Sequence, residues 1–63
     1  MWYTIAVGQV RKWKIKRWGT EPFTVVEEIR FPTGQRAWAI HEKGRLMTID
    51  HNDLEAESIV ISP

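Results

Sequence analysis

Turn-forming residues recur at short intervals along this chain and leave space only for short secondary-structure elements. The turn signals are Gly8 and residues 19–22, 32–34, 43–44 and 51–53. The runs between them are rich in β-branched and aromatic residues, which favour strands. Short strands at this spacing predict a small all-β fold, a sandwich or a barrel.

The turn signals also set the boundaries of the predicted strands. We predict strands at residues 9–16, 23–31, 36–42, 45–50 and 58–61, with residues 2–7 as a lead-in or an additional strand. Consecutive Val25 and Val26 interrupt the alternation of the second strand and suggest a bulge. Lys43-Gly44 suits a two-residue hairpin loop. Residues 51–54 are expected to form a 3₁₀ turn, with a short helix at 52–57 as the alternative.

A chain of 63 residues without cysteine must build its core from large side chains. A domain of this size buries only about 60% of the surface that its unfolded chain exposes, and no disulfide or thiolate metal site supports it. We therefore place Trp13 and Trp38 in the core. No segment approaches the roughly 20 apolar residues of a membrane span. We expect residues 1–63 to form a single cytoplasmic domain.

Positive charge is concentrated near the start of the chain. Residues 1–19 contain five cations and no acid, whereas residues 20–63 contain four cations and eight acids. In an extended strand, Lys12, Lys14 and Lys16 would share one face, and the other face would carry Arg11, Trp13, Ile15 and Arg17. Such a strand could bury Trp13 and offer a cationic stripe to a polyanion.

This stripe gives the first functional hypothesis, nucleic-acid binding with low sequence specificity, to either DNA or RNA. The cations would contact phosphates, and Trp18 would stack on a base or line a groove. The candidate contacts are Arg11, Lys12, Lys14, Lys16, Arg17 and Trp18. The alternative is an ordinary solvated face whose lysines prevent edge-to-edge aggregation, or which pairs with acids on neighbouring strands.

The second hypothesis is a protein-interaction module, such as an inhibitor, an adaptor or a small subunit, encoded by a phage or another mobile element. Trp18 with Phe23 or Tyr3 would form its apolar anchor, and the charged faces would steer association. The protein would be a monomer, or a homodimer through Trp2 and Tyr3. The acidic group Asp50, Asp53, Glu55 and Glu57 is either a solvated rim or a docking surface for a basic partner.

Enzymatic and metal-dependent functions find little support in the sequence. His41, His51, Asp50 and Asp53 follow no standard metal-ligand spacing, and Asn52 and Asp53 are typical turn formers. Ser58 and Ser62 have no nucleophile motif around them. We therefore expect no catalytic residue, no metal and no cofactor.

Four short segments together resemble the SH3-like small-barrel superfamily. They are Val7-Gly8-Gln9-Val10, residues 22–27, Trp38-Ala39-Ile40 followed by Gly44, and Asp53-Leu54-Glu55 before residues 58–61. The resemblance covers nearly the whole chain and implies a five-stranded SH3-like barrel with a 3₁₀ turn before the last strand. It implies a fold and no specific family. The Ala-Leu-Tyr-Asp-Tyr type motif of proline-peptide SH3 domains is missing and Trp38 is flanked by alanines, so we do not expect PxxP binding.

Overall fold

The computed structural model describes residues 4–63, which form five strands in one antiparallel sheet, a 3₁₀ turn and a short helix. The strands are β1 (Val10–Trp13), β2 (Phe23–Arg30), β3 (Arg36–Glu42), β4 (Arg45–Asp50) and β5 (Ser58–Ser62), and the helix is α1 (His51–Glu57). Their order across the sheet is β4-β3-β2-β1-β5. The predicted all-β class with five strands is confirmed, while the resemblance to a closed SH3-like barrel stays a prediction. None of the described helices is long and apolar enough to cross a membrane.

The hairpin between β3 and β4 is the element that the sequence predicted best. Both strands have the predicted bounds, and Glu42 pairs with Arg45 across the loop. Lys43 and Gly44 have φ angles of 52° and 77°, so both central residues of the turn are left-handed. Positive φ at both positions defines the type I′ turn, whose twist matches the twist of the two strands.

The pairing of β2 with β3 is interrupted by the predicted bulge. Val25 lies opposite Ile40 and Glu27 lies opposite Ala39, so Val26 has no partner in the ladder. The extra residue lets Val25 stay buried while Val26 turns to solvent. Strand β2 ends at Arg30, one residue earlier than predicted, because the N–H of Phe31 bonds to the carbonyl of Gln35 and closes the turn.

One apolar cluster of buried side chains from the sheet and α1 forms the core. Its buried members are Ile5, Trp13, Phe23, Val25, Trp38, Ile40 and Leu54, and Met47 and Ile49 pack against them. The rings of Trp13 and Phe23 lie 4.7 Å apart, which is a favourable aromatic distance. The predicted burial of Trp13 and Trp38 is confirmed.

The first strand is shorter than the alternation of its side chains predicted. Strand β1 ends at Trp13, and Lys16–Trp18 form a 3₁₀ turn. Two backbone hydrogen bonds close the turn. The N–H of Trp18 donates to the carbonyl of Ile15 at 3.1 Å, and the N–H of Gly19 donates to the carbonyl of Lys16 at 3.0 Å. The prediction of one extended strand through residue 16 is therefore wrong, because the backbone bonds locally from Ile15 onwards.

The segment before β5 is an α-helix, as the alternative interpretation had it, and the preferred 3₁₀ turn at residues 51–54 is wrong. Asp50 caps the helix by accepting a bond from the N–H of Asn52 at 3.0 Å. Leu54 is fully buried and anchors the helix to the core. A cap and a buried anchor together stabilise a helix that would be too short in isolation.

Asp50 should make the stability of the protein depend on pH. Its pKa lies below the ordinary value of 3.8 because Gln35 donates a hydrogen bond to its carboxylate, and the backbone of Asn52 adds a second. A lowered folded-state pKa means that the stabilisation is complete above the unfolded-state pKa and is lost as pH falls through the folded value. We expect Asp50→Asn to lower the free energy of unfolding modestly at pH 7. The variant should then lose less of that free energy than the parent as the pH falls.

Urea unfolding between about pH 7 and pH 2 measures this effect. Glu21→Gln, which removes an exposed carboxylate away from the helix, is the control and should keep the acid dependence of the parent. Some acid sensitivity should remain in every variant, because a hydrogen bond from Arg36 also lowers the pKa of Glu28. Identical pH profiles for Asp50→Asn and the parent would contradict the assignment.

Candidate functional site

Arg11, which the sequence suggested as a nucleic-acid contact, lies inside the protein. It is 4% exposed. Its Nε donates to Ser58 Oγ at 2.7 Å, and its Nη1 donates to Gln9 Oε1 at 2.8 Å. Burial lowers the pKa of Arg11, and the nearby charge of Glu55 opposes that effect. The guanidinium is therefore a structural group, and Arg11 cannot contribute to a surface site.

The hydrogen bonds of Arg11 belong to a larger buried network. Ser58 donates its hydroxyl to the carbonyl of Leu54, and Gln9 donates its amide to the carbonyl of Thr4 at 2.7 Å. The network thus joins the start of the chain, β1, the end of α1 and the start of β5. Its acceptors are all neutral, so the stabilisation of the cation comes from satisfied hydrogen bonds and not from a salt bridge.

This network predicts a sharp difference between two neighbouring cations. Arg11→Met should lower the free energy of unfolding by about 1–3 kcal/mol, because Gln9 and Ser58 would keep buried acceptors without a donor. Lys12→Met, one residue away on the exposed face, should change stability by less than about 0.5 kcal/mol. Urea denaturation of both variants measures the difference. Equal losses of unfolding free energy in the two variants would show that the buried hydrogen bonds of Arg11 do not stabilise the fold.

The other cations of the basic segment remain at the surface but do not form one straight row. Lys12 is exposed on β1, and Lys16 and Arg17 lie in the 3₁₀ turn. Lys14 lies between the two elements, and its Nζ donates to the carbonyl of Ala56 at 2.8 Å. Within residues 4–63, none of these four side chains forms an ion pair. The cationic stripe of the sequence interpretation is therefore replaced by a bent distribution of charge.

Trp18 lies at the end of the 3₁₀ turn and covers the edge of the core. Its side chain is 37% exposed, and its ring stands edge-on to Trp13, with centroids 5.1 Å apart and an interplanar angle of 74°. The following residue, Gly19, lies so close to Glu42 that an added Cβ would come within 2.9 Å of its Oε2. Trp13 on one side and the Gly19–Glu42 contact on the other therefore position the indole.

Two adjoining depressions flank Trp18, and we call them together the Trp18 groove. Their volumes are about 310 and about 220 Å³, and both are lined by Trp18 and Met47. The larger is completed by Trp13, Thr48, Ile49, Asp50 and Asp53, and the smaller by Glu42, Lys43 and Arg45. The groove thus runs along β4, which is an edge strand of the sheet.

The charges along the Trp18 groove are mixed, with acids in the majority. Asp50 and Asp53 line the larger depression, which has no cation in its lining. Glu42 lines the smaller one together with Lys43 and Arg45, and its buried Oε1 has no hydrogen-bond partner among the described residues. An apolar floor with carboxylates at its margin suits an apolar side chain beside a cationic one.

The other proposed anchors do not join Trp18 at the surface. Phe23 is 1% exposed and stacks on Trp13 inside the core, so its predicted role in partner binding is wrong. Tyr3 and Trp2, and with them the predicted N-terminal dimer contact, lie outside the described residues. The residues that do line the groove with Trp18 come from the end of β1, the β3–β4 hairpin and the start of α1.

The sequence did not assign Met47 or Ile49 to the site, and it named Asp50 and Asp53 only as members of an acidic group, either a solvated rim or a docking surface for a basic partner. The alternation of β4 placed Met47 and Ile49 on one face, which the structure confirms, but gave no information on what that face meets. Among residues 4–63 no group of three metal-ligating side chains comes together. His51 instead accepts a hydrogen bond from the indole of Trp38 at 3.0 Å and lies 3.6 Å from Glu55.

Comparisons with known proteins add no family to this picture. No protein-family model matches the chain, and searches of curated proteins and of solved structures return no significant match.

Proposed function

We propose that this protein is a non-enzymatic binding module that receives a segment of another protein in the Trp18 groove. The observation that supports this most directly is the partly exposed indole of Trp18, which packs against Trp13 above a groove with an apolar floor. Partly buried tryptophans beside such grooves dominate binding energies at many interfaces. Because Trp13 already supports the ring, little side-chain freedom would be lost when a partner binds.

The position of the groove beside β4 favours an extended partner segment. Strand β4 pairs only with β3 among the described residues, so its other side offers unpaired backbone donors and acceptors. An extended peptide can add to such an edge through main-chain bonds, while its alternate side chains enter neighbouring depressions. Here those depressions are the two halves of the Trp18 groove, which share Met47.

The charges of the groove favour a protein segment over a nucleic acid at Trp18. A base stacked on this indole would bring its phosphates near Asp50, Asp53 and Glu42, and like charges repel. A Lys or Arg side chain at the same place would meet attraction. We therefore expect a partner segment with an apolar residue next to a basic one. Such a module fits the roles of inhibitor, adaptor or small subunit.

Selection of peptides from a random display library tests the proposal without knowledge of the natural partner. The selected peptides should bind the Trp18→Ala variant about tenfold or more weakly than the parent protein, as expected for a hot-spot residue. Asp53→Asn should reduce the affinity for peptides that contain Lys or Arg more than the affinity for their Gln analogues. Val7→Ala, an exposed apolar truncation outside the groove, is the matched control and should retain binding.

Titrations followed by tryptophan fluorescence measure these affinities, and thermal unfolding establishes that each variant is folded. Folded Trp18→Ala protein that binds the selected peptides as tightly as the parent would exclude the groove as the site. A library that enriches no peptide would exclude an extended protein segment as the ligand.

Nucleic-acid binding remains the second candidate, and one observation favours it. Lys16 and Arg17 share the 3₁₀ turn with Trp18, Lys12 is exposed nearby along the chain, and none of them is paired with an acid among residues 4–63. These cations could contact phosphates without sequence preference. Arg11 is excluded from this surface by its burial.

A salt titration distinguishes this candidate from peptide binding. Affinity for single-stranded DNA or RNA should fall steeply with salt, and the double variant Lys12→Gln with Lys16→Gln should reduce the slope by about one unit per lost contact. Arg30→Gln, an exposed cation at the end of β2 and outside both the 3₁₀ turn and the Trp18 groove, is the control. Absence of binding at low salt, or an equal effect of the control, would eliminate the nucleic-acid candidate.

A further inference from the structure

Strand β5 is the second edge of the sheet, and its composition is unusual for an edge. Among residues 4–63 it pairs with β1 alone. Its sequence, Ser58-Ile59-Val60-Ile61-Ser62, contains no charged residue, and Ile59 and Ile61 are 51% and 50% exposed. Edge strands are normally protected by charges, prolines or bulges. Here the protection is limited to the bulge opposite Val10 and Arg11 and to Pro63 after the strand.

The sequence of β5 reads the same in both directions about Val60. We propose that two copies of this protein associate through antiparallel pairing of their β5 strands, with the two-fold axis at Val60. Val60 then lies opposite its own copy, and Ile59 approaches Ile61 of the second copy, next to the bulge where Arg11 pairs with Val60 and Val10 pairs with Ser62. A two-fold interface must be self-complementary, and a palindromic uncharged strand meets that condition.

The backbone of β5 supports this register. The N–H of Lys14 bonds to the carbonyl of Glu57 at 2.8 Å, which makes these residues a hydrogen-bonded pair at the end of the β1–β5 ladder. Such pairs alternate in an antiparallel ladder, so Trp13 with Ser58 and Arg11 with Val60 are non-hydrogen-bonded pairs. The N–H and carbonyl of Val60 consequently face the open edge. Across the two-fold axis they can form two reciprocal bonds with Val60 of the second copy.

The side chains and the charges favour association, but the small area limits its strength. Ile59 and Ile61 of both copies would form one apolar cluster at the joint, and β5 places no like charges opposite each other. The few residues around Val60 bury less than the roughly 1,200–2,000 Å² of a standard stable interface. The expected assembly is therefore a weak homodimer that dissociates on dilution, with a continuous sheet through both copies.

Sedimentation measurements from about 10 μM to about 1 mM test the association, because the dimer fraction of a weak assembly must rise with concentration. The parent should show this rise, and Ile59→Lys should stay monomeric because it places a charge at the joint. The matched control is Leu46→Lys on the other edge strand, where Leu46 is 70% exposed. A parent that is monomeric throughout, or a dimer abolished by Leu46→Lys and not by Ile59→Lys, would overturn the proposal.

Disulfide trapping tests the register, since the chain has no cysteine of its own. In the proposed dimer Ile59 and Ile61 of opposite copies are neighbours on either side of the Val60 pair, close enough for a disulfide between adjacent strands. An equal mixture of Ile59→Cys and Ile61→Cys proteins should oxidise to a covalent dimer faster than either alone. Faster dimerisation of one variant by itself would refute the register.

This association is independent of the Trp18 groove. Trp18→Ala protein should dimerise as the parent does, and Ile59→Lys protein should bind groove peptides as the parent does. The two proposals can therefore fail separately, and neither result depends on the other.

Discussion

A buried arginine held by neutral hydrogen-bond acceptors organises this small fold. Arg11 brings a positive charge into the interior, and the surrounding chain must supply its acceptors: the side chain of Gln9 and the hydroxyl of Ser58. Ser58 can reach it only if α1 ends directly above β1 and the chain continues as β5. A desolvated charge is tolerated only with its hydrogen bonds made, so this cluster fixes which face of β1 points inward.

The inward face of β1 in turn determines the surface. With Arg11 and Trp13 inside, Lys12 must point outward, and the chain has to leave the sheet after Trp13 for Trp18 to return over it. The 3₁₀ turn achieves this return within three residues. The proposed binding groove is thus a consequence of how the first strand ends, because Trp18 packs on a core residue instead of extending a strand.

Local signals in the sequence predicted the parts of the fold that depend on local chemistry. The bounds of β3 and β4, their two-residue turn and the bulge at Val26 all follow from residue types within a few positions of each other. The burial of Arg11 could not be found in this way, since its acceptor Ser58 lies 47 residues along the chain. The same holds for the groove, where Trp18 meets Met47 only through tertiary packing. The alternation of side chains predicted too long a first strand, because such a pattern carries no information on the backbone bonds that close the 3₁₀ turn.

The contact between Trp38 and His51 determines the tautomer of the imidazole. Nδ1 accepts the indole proton at 3.0 Å, so it bears no hydrogen, and the ring proton must sit on Nε2, on the side of Glu55. Through its two ring nitrogens His51 thus faces both β3 and its own helix: Nδ1 joins the start of α1 to Trp38, and Nε2 lies on the side of Glu55, one turn along the helix.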